Sequence, residues 1–333
     1  EDSPIDIAAR SRITVEHKTD CVEVRYRFLL PRTYDFELKR RSIDEIENRL
    51  TVRYRLPRHS RHLSLEVEAD NRSEAHRLRI VFRTGNRSDT SVASVPFGFE
   101  TRIRDGNPRG NPNSGVVGVG DFAVFNHGLF EYEHGADGSI ALTLLRCVGR
   151  ITNSDFPNQS PLVAEACEWE APEANLIGCH QFRLAVRPGN VSSAEREMEF
   201  RKFILPSAVA FDSADEHKFT SGRPCVQETE LAELFFRQLP PGTRRLPVEA
   251  SLLELHGDVV FSAWKRAETA DEPVLRFYNP DFRESVTAEL DPRYRWTRCN
   301  LAEIGNRKLT KNTWKLRPGE IITLKQKGPD RPS

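Results

Sequence analysis

The chain has 333 residues, of which 38% are hydrophobic and 29% are charged, and its 49 Lys and Arg balance its 49 Asp and Glu. This is the composition of an ordinary globular protein with room for two domains, and the lack of a basic surplus argues against nucleic acid as a partner. No apolar run approaches the roughly 20 residues of a transmembrane helix, so we expect no membrane partner.

The methionine and cysteine content bears on the origin of the chain. The only methionine is Met198 and the chain opens on Glu1. The first residues contain no basic stretch followed by an apolar one, so the sequence shows no secretory signal. We therefore expect a segment excised from a longer, cytoplasmic protein. The six cysteines form no CxxC pair, which argues against a zinc ribbon and favours reduced, mostly buried thiols.

Short segments in which apolar and polar residues alternate dominate the N-terminal part and predict β-strands. They comprise residues 53–56, 62–69, 77–83, 139–145 and 182–186. Gly85-Asn86 and Asp137-Gly138 predict turns between them. Strands that recur with turn residues between them indicate a β-sandwich.

Residues 101–117 are rich in Gly, Pro and Asn and predict a long connection, which in a compact domain is usually functional or disordered. Gly118 and Gly120 follow it and predict a bulge or turn beside a strand. There is no Walker loop, GxSxG or HExxH, so we assign no catalytic residue.

Residues 125–134, FNHGLFEYEH, are the densest candidate for a binding site. Asn126, His127 and the nearby carboxylates could bond sugar hydroxyls, while aromatic rings cover the apolar side of a sugar. His127 and His134 lack a third ligand at a diagnostic spacing, so we predict no metal site. A plain hairpin stays open as the alternative, with two faces formed by Leu129, Glu131 and Glu133 and by Phe130 and Tyr132.

A helix is predicted at residues 195–202, with a second candidate at 228–237. Further short strands follow at 252–255, 259–263, 274–278 and 320–324, which indicate a second, smaller sandwich. We therefore predict a first domain at residues 1–205, a connecting segment at 206–245 and a second domain at 246–328.

Several segments together resemble the C-terminal region of glycoside hydrolase family 38 α-mannosidases, in the bacterial branch that includes mannosylglycerate hydrolases. The resemblance covers roughly residues 50–326 and depends on the order of its pieces. These are FGFETR at 97–102, FNHGLFEYE at 125–133, LTLLRCVGR at 142–150, GCHQFRLA at 178–185, FSAWKRAE at 261–268, LRFYN at 275–279, NLAE at 300–303 and RPGEIITL at 317–324.

The resemblance implies an all-β fold, with a large β-supersandwich similar to galactose mutarotase followed by a smaller C-terminal β-sandwich. It also implies retaining hydrolysis of α-mannosides, assisted by a zinc ion that holds the sugar hydroxyls. Nothing in this chain matches the N-terminal catalytic domain that carries those groups. We therefore carry over no catalytic residue, no metal ligand and no cofactor, and expect the chain alone to be inactive.

The partners implied by the resemblance are that catalytic domain and an α-mannoside, and a homo-oligomer stays open. Arg102, Asn126 and His127 are our candidates for the rim of the substrate pocket. Two other functions stay open as alternatives. One is an independent carbohydrate-binding module, and the other is a mutarotase-like epimerase that uses His127, His180 and Glu131 as its acid and base.

Overall fold

The computed structural model describes residues 4–58, 60–104, 111–150, 170–205, 251, 253–269, 272–305, 307–309 and 311–327. The helices of these residues are α1 (Ile7–Arg10) and α2 (Ser193–Ile204), with a single 3-10 turn at Pro172–Asn175. The strands are β1 (Arg12–His17), β2 (Val22–Pro31), β3 (Tyr34–Asp35), β4 (Arg40–Arg41), β5 (Glu45–Arg55), β6 (Leu63–Asn71), β7 (Arg77–Phe82), β8 (Thr90–Val95), β9 (Gly98–Ile103), β10 (Asn111–Pro112), β11 (Val116–Val119), β12 (Phe122–Asn126), β13 (Glu131–His134), β14 (Ile140–Arg146), β15 (Gly178–Pro188), β16 (Leu255–His256), β17 (Val260–Arg266), β18 (Pro273–Tyr278), β19 (Val286–Leu290), β20 (Arg295–Cys299), β21 (Arg307–Lys308), β22 (Thr313–Leu316) and β23 (Ile321–Lys327).

The first sandwich packs a nine-stranded sheet against a four-stranded sheet. The order of the larger sheet is β1-β2-β5-β6-β15-β12-β11-β8-β9, and that of the smaller is β10-β13-β14-β7. Apolar side chains fill the space between them because the strands alternate, with every second residue of β6 and β15 facing inward. This core comprises Val52, Leu65, Val67, Leu184, Tyr132, Ile140 and Leu142, among others. The all-β fold expected from the sequence is confirmed.

Helix α2 covers the outer face of the nine-stranded sheet at β12, β11 and β15. The hydroxyl of Ser192 caps its N-terminus by accepting the amide of Glu195 at 3.1 Å. Phe200 and Phe203 of the helix pack against Phe125 and Ala185 of the sheet. The predicted helix at residues 195–202 is confirmed and is slightly longer at both ends.

The same outer face carries charged side chains where α2 does not cover it. Glu23 of β2 is 1% exposed and accepts hydrogen bonds from Lys18 at 2.8 Å and Arg53 at 2.7 Å. Arg55 pairs with Glu66 across the next strands at 2.5 Å. These cross-strand pairs satisfy the charges on the part of the sheet face that α2 does not cover.

The second sandwich consists of a three-stranded sheet, β16-β19-β22, and a five-stranded sheet, β17-β18-β23-β20-β21. Its core includes Leu275, Phe277, Leu290, Trp296, Leu316 and Leu324. Trp264, Tyr294 and Trp296 pack edge to face at one side, with ring centroids 5.7 to 6.3 Å apart.

The two sandwiches are in direct contact. Phe99 forms an isolated bridge with Asp281 and donates its amide to the carbonyl of Pro280 at 3.0 Å. Phe282 lies so close to Gly98 that a Cβ there would be 2.4 Å from its ring. Ala194 of α2 packs with Val260 and Tyr278 in a small shared cluster.

Several strand predictions are confirmed in position and differ in length. The strands predicted at 62–69, 77–83, 139–145 and 182–186 correspond to β6, β7, β14 and β15. The connection predicted at 101–117 was wrong at both ends, because residues 101–103 belong to β9 and residues 116–117 to β11. The candidate helix at 228–237 lies outside the described residues, and the domain limits at 205, 245 and 328 remain predictions. No described helix is both long and apolar enough to cross a membrane.

Candidate functional site

Asn126 closes β12 and lies inside a network of two amide side chains. Its Nδ2 donates to Asn113 Oδ1 at 3.0 Å, and its Oδ1 accepts the amide of Leu129 at 2.9 Å. Asn113 in turn donates to the carbonyl of Leu129 at 2.9 Å and accepts the amide of Gly115 at 2.8 Å. Asn126 is only 1% exposed. Its side chain therefore fixes the turn and does not reach the surface. Direct contact with a sugar would require an exposed side chain.

His127 follows Asn126 and is exposed. Its amide donates to the carbonyl of Arg183 on β15 at 3.1 Å, which holds the backbone and leaves the imidazole in solvent. The guanidinium of Arg183 lies 5.6 Å from the ring centroid of Phe203 and donates to the Phe203 carbonyl at the end of α2. An imidazole and a guanidinium therefore emerge at neighbouring positions of the sheet, where both could donate to a polar ligand.

Arg102 lies three strands away from β12, on β9 at the edge of the nine-stranded sheet. It pairs with Glu100 at 2.9 Å and donates to the carbonyl of Pro112 in β10. Burial opposes its charge, but Glu100 and the Tyr132 hydroxyl outweigh that effect and raise the pKa of Arg102. Its side chain is 18% exposed and joins an edge of one sheet to an edge of the other.

Arg102 and Asn126 are linked through adjacent residues, Pro112 and Asn113. Both side chains hold the segment that leads into β11, at the end of the connection that sequence analysis predicted to be functional or disordered. The structure thus gives two of the three candidates a common positioning role and leaves His127 as the exposed one.

The hairpin that follows agrees in part with the plain alternative. Tyr132 is fully buried, and Glu131 points outward to pair with Arg77 and to accept the Thr143 hydroxyl at 2.9 Å. The predicted faces were wrong for Leu129 and Phe130, which are 8% and 72% exposed. The strand begins only at Glu131, so the alternation does not extend back to these two residues.

Two histidines that the sequence offered as candidates for metal binding or catalysis, His134 and His180, lie within the folded sheets. His180 Nε2 lies 2.8 Å from the carbonyl of Leu176. His134 is buried and neither ring nitrogen has a hydrogen-bond partner. Burial, with Arg104 adding to it, lowers the pKa of His134. Across the residues that the structure describes, no three His, Cys, Asp or Glu side chains are placed to bind a metal ion, so the zinc implied by the resemblance has no fitting ligands among them.

Sequence analysis missed a charged cluster beneath α2. Arg187 of β15 pairs with Glu199 at 2.7 Å, and both are nearly buried. Arg196 is 7% exposed, lies 5.8 Å from the Phe99 ring centroid and leaves its Nε without a partner. The only signal was Arg187 at the end of an alternating strand, and nothing in the sequence indicated that a helix would cover it.

Two comparisons by sequence point to one family. Residues 258–324 match the model of the glycosyl hydrolases family 38 C-terminal beta sandwich domain. The chain is also 26% identical over 304 residues to a protein of Halalkalibacterium halodurans named "Putative mannosylglycerate hydrolase". That match covers 86% of this chain and 29% of the relative.

The fold is similar to two solved structures from Enterococcus faecalis. One is an alpha-mannosidase, with a TM-score of 0.70 and 22% identity over 95% of this chain and 35% of that one. The other is a protein in the glycosyl hydrolase family 38, with a TM-score of 0.69 and 22% identity over 95% and 36% of the two chains. The chain thus spans about a third of the length of the proteins it matches, and its residues 258–324 are similar to the family 38 C-terminal beta sandwich domain.

Proposed function

We propose that this chain is the non-catalytic β region of an α-mannosidase whose active site lies in a separate N-terminal domain. The observation that carries the proposal is the unequal coverage of the structural match. An alpha-mannosidase structure accounts for 95% of this chain, while this chain accounts for only 35% of it. Most of such an enzyme therefore lies outside the matched part. We place the retaining chemistry and its zinc ion there.

The contacts of the polar side chains support a scaffolding role. Glu131 is engaged by Arg77 and Thr143, and His180 by a backbone carbonyl. An epimerase would need a carboxylate and an imidazole free to exchange protons with a sugar in one groove. Glu131 and His180 are instead tied to separate structural partners, and His127 alone of the three candidates is exposed, so the geometry favours support over catalysis.

We further propose that His127 and the segment held by Arg102 contribute to the pocket rim of the whole enzyme. His127 is exposed at the end of β12, and Arg102 fixes Pro112 next to the buried Asn113. In this proposal His127 contacts substrate, while Arg102 and Asn126 position the backbone beside it. A cytoplasmic location is also proposed, consistent with free thiols at Cys21, Cys147, Cys179 and Cys299.

Hydrolysis of an aryl α-mannoside, with zinc supplied, tests the location of the active site. We expect no turnover by this chain alone and turnover by the longer protein that includes the upstream coding region. Turnover by the chain alone would overturn the proposal. Isothermal titration of the chain with mannose distinguishes this proposal from an independent carbohydrate-binding module. Such a module would bind the sugar without the upstream part.

The rim proposal is tested in the longer protein by His127→Ala and Asn126→Ala. We expect His127→Ala to raise KM and leave the melting temperature unchanged, because its side chain is exposed. Asn126→Ala should lower the melting temperature, because it removes two buried hydrogen bonds. A His127→Ala enzyme with wild-type kinetics would exclude His127 from the rim.

A further inference from the structure

The two edges of the nine-stranded sheet differ in whether other parts of the chain contact them. At β9, Phe99 bridges to Asp281 of the second sandwich, and Arg102 reaches across to β10. At the other edge, β1 pairs with β2 on one side, and no other described strand pairs with it. All six residues of β1 are exposed. An open edge of this kind is a template for another strand.

The hairpin between β1 and β2 determines which residues face the open edge. The amide of Lys18 donates to the carbonyl of Cys21 at 2.9 Å, which makes these two a hydrogen-bonded pair. Hydrogen-bonded and non-bonded pairs alternate along an antiparallel ladder. Arg12, Thr14 and Glu16 therefore bond to β2. Ile13, Val15 and His17 direct their N–H and C=O groups away from it.

The two faces of β1 differ in chemistry. Ile13 and Val15 are 45% and 54% exposed and lie opposite Tyr26 and Val24 on the core side of the sheet. Arg12, Thr14 and Glu16 lie on the outer, charged face. The ladder to β2 has no register shift, and β1 contains no proline or lysine, so β1 lacks three of the devices that protect an edge strand and keeps only the charges of Arg12 and Glu16.

We propose that β1 pairs antiparallel with β1 of a second copy of this chain, about a two-fold axis at Thr14. A two-fold axis perpendicular to the sheet keeps each side chain on its own face, so the axis must pass through a residue position. At Thr14, Arg12 faces Glu16 of the second copy and Ile13 faces Val15. The Ile13–Val15 pairs are also the ones whose N–H and C=O groups point outward, so they exchange the new hydrogen bonds.

Neighbouring registers are less complementary. An axis at Ile13 places Arg12 opposite Thr14, and an axis at Val15 places Ile13 opposite His17 and leaves Arg12 without Glu16. Only the Thr14 register joins opposite charges on one face and apolar side chains on the other, and each such pair contributes to sheet stability. This self-complementarity is why a second copy, rather than an unrelated strand, is the occupant.

Charge reversal tests the register in the 333-residue chain by sedimentation equilibrium. Arg12→Glu or Glu16→Arg alone should weaken the dimer by about tenfold or more, because each places like charges opposite one another twice per dimer. The two reversals combined should restore much of the affinity. Lys315→Glu, on an exposed site of the second sandwich, is the control and should have no effect. A monomer at every concentration, or a dimer insensitive to both reversals, overturns the proposal.

Cross-linking tests the axis independently. In the proposed dimer the two copies of residue 14 form a non-hydrogen-bonded pair, with Cα atoms about 4.5 Å apart, within reach of a disulfide. Thr14→Cys should therefore give an oxidised dimer in which mass spectrometry finds residue 14 joined to residue 14. His17→Cys leaves the charged pairs intact but places its two copies about 20 Å apart, so it should not cross-link to itself. Equal cross-linking by both variants, or none by Thr14→Cys, overturns the proposed register.

Discussion

The outer face of the nine-stranded sheet is one continuous surface with two different parts, one apolar and covered by α2 and the other charged. Where α2 covers it, the sheet presents Phe125, Ala185 and Val116 to Phe200 and Phe203 of the helix. On the part that α2 does not cover, called here the bare part, β2, β5 and β6 present charged side chains in register with one another. A strand face of this sheet is therefore apolar where a helix packs on it and charged where α2 does not reach. The presence of the helix, rather than the sheet itself, determines which residues the face requires.

Charges also occur under the helix, and they behave differently there. Arg187 and Glu199 satisfy each other almost out of contact with water, whereas pairs such as Arg49–Glu47 on the bare part are half exposed. A buried pair is costly to break, while an exposed pair contributes little. Mutations on the two parts of the face should therefore differ in the size of their effect on the free energy of unfolding.

Phe200→Ala should have the largest effect, with a loss of about 3–5 kcal/mol in the free energy of unfolding, because it leaves a cavity between helix and sheet. Phe200 is 8% exposed and contacts Phe125 at a ring-centroid distance of 5.9 Å. Urea denaturation followed by far-UV circular dichroism measures the loss. A loss below about 1 kcal/mol would show that α2 is not needed to cover the sheet.

Gly115→Ala should cost about 2–3 kcal/mol, because a Cβ at this position would lie 2.2 Å from the Phe200 ring and the backbone φ is +129°. Gly85→Ala is the matched control, since its φ is +72° and no atom lies within 4 Å of the new Cβ. It should cost only about 1 kcal/mol. Equal losses in urea denaturation would mean that backbone conformation, and not the helix, restricts position 115.

Arg187→Leu should lower the free energy of unfolding, whereas Arg196→Leu should not. The first leaves the nearly buried Glu199 carboxylate without its nearest cation and should cost about 2 kcal/mol. The second removes a buried cation whose pKa is lowered by burial and by Arg187, and should leave stability unchanged or raise it by about 1 kcal/mol. Thermal melts of both variants at neutral pH test this. A large loss for Arg196→Leu would indicate that its stacking on Phe99 outweighs the burial of its charge.

On the bare part, Glu23→Gln should show an effect on stability that depends on pH, because Glu23 is buried among cationic partners and the variant removes only its charge. Hydrogen bonds from Lys18 and Arg53 lower the pKa of Glu23 from 4.5 to about 2. Because the folded pKa is below the unfolded one, the stabilisation by the carboxylate is complete above about 4.5 and disappears as the pH falls toward 2. The difference in urea midpoint between the native chain and the variant should narrow across that range. A constant difference would assign the effect to packing instead.

The sequence predicted the parts of the fold in which one face of a strand is buried and the other is wet. Strands β6 and β15 alternate for this reason over most of their length, and their predicted positions are confirmed. Strand β11 is buried at all four positions, so it has no alternation, and its first two residues were placed in the predicted connection. The alternation of Val22, Val24 and Tyr26 in β2 was present in the sequence but was not used.

The candidate site was less predictable, because its residues differ in exposure rather than in type. Asn126 and His127 are adjacent and both polar, yet one is buried in an amide network and the other is exposed. That outcome depends on Asn113, which lies on another strand connection and has no spacing that marks it. Pairings between distant segments, such as Arg102 with Pro112 or Phe99 with Asp281, likewise arise only from the packing of two sheets.

The close approach of Phe282 to Gly98 has a consequence for how the chain can be divided. The aromatic ring of one sandwich occupies the space that a side chain would fill on the other, and Phe99 is bonded to the neighbouring backbone. Cutting the chain between the sandwiches would therefore leave a hollow on the first part and an uncovered ring on the second. The division between the two sandwiches that the sequence predicts therefore does not separate two independent parts. The two sandwiches should be expressed, exchanged or redesigned as a single unit.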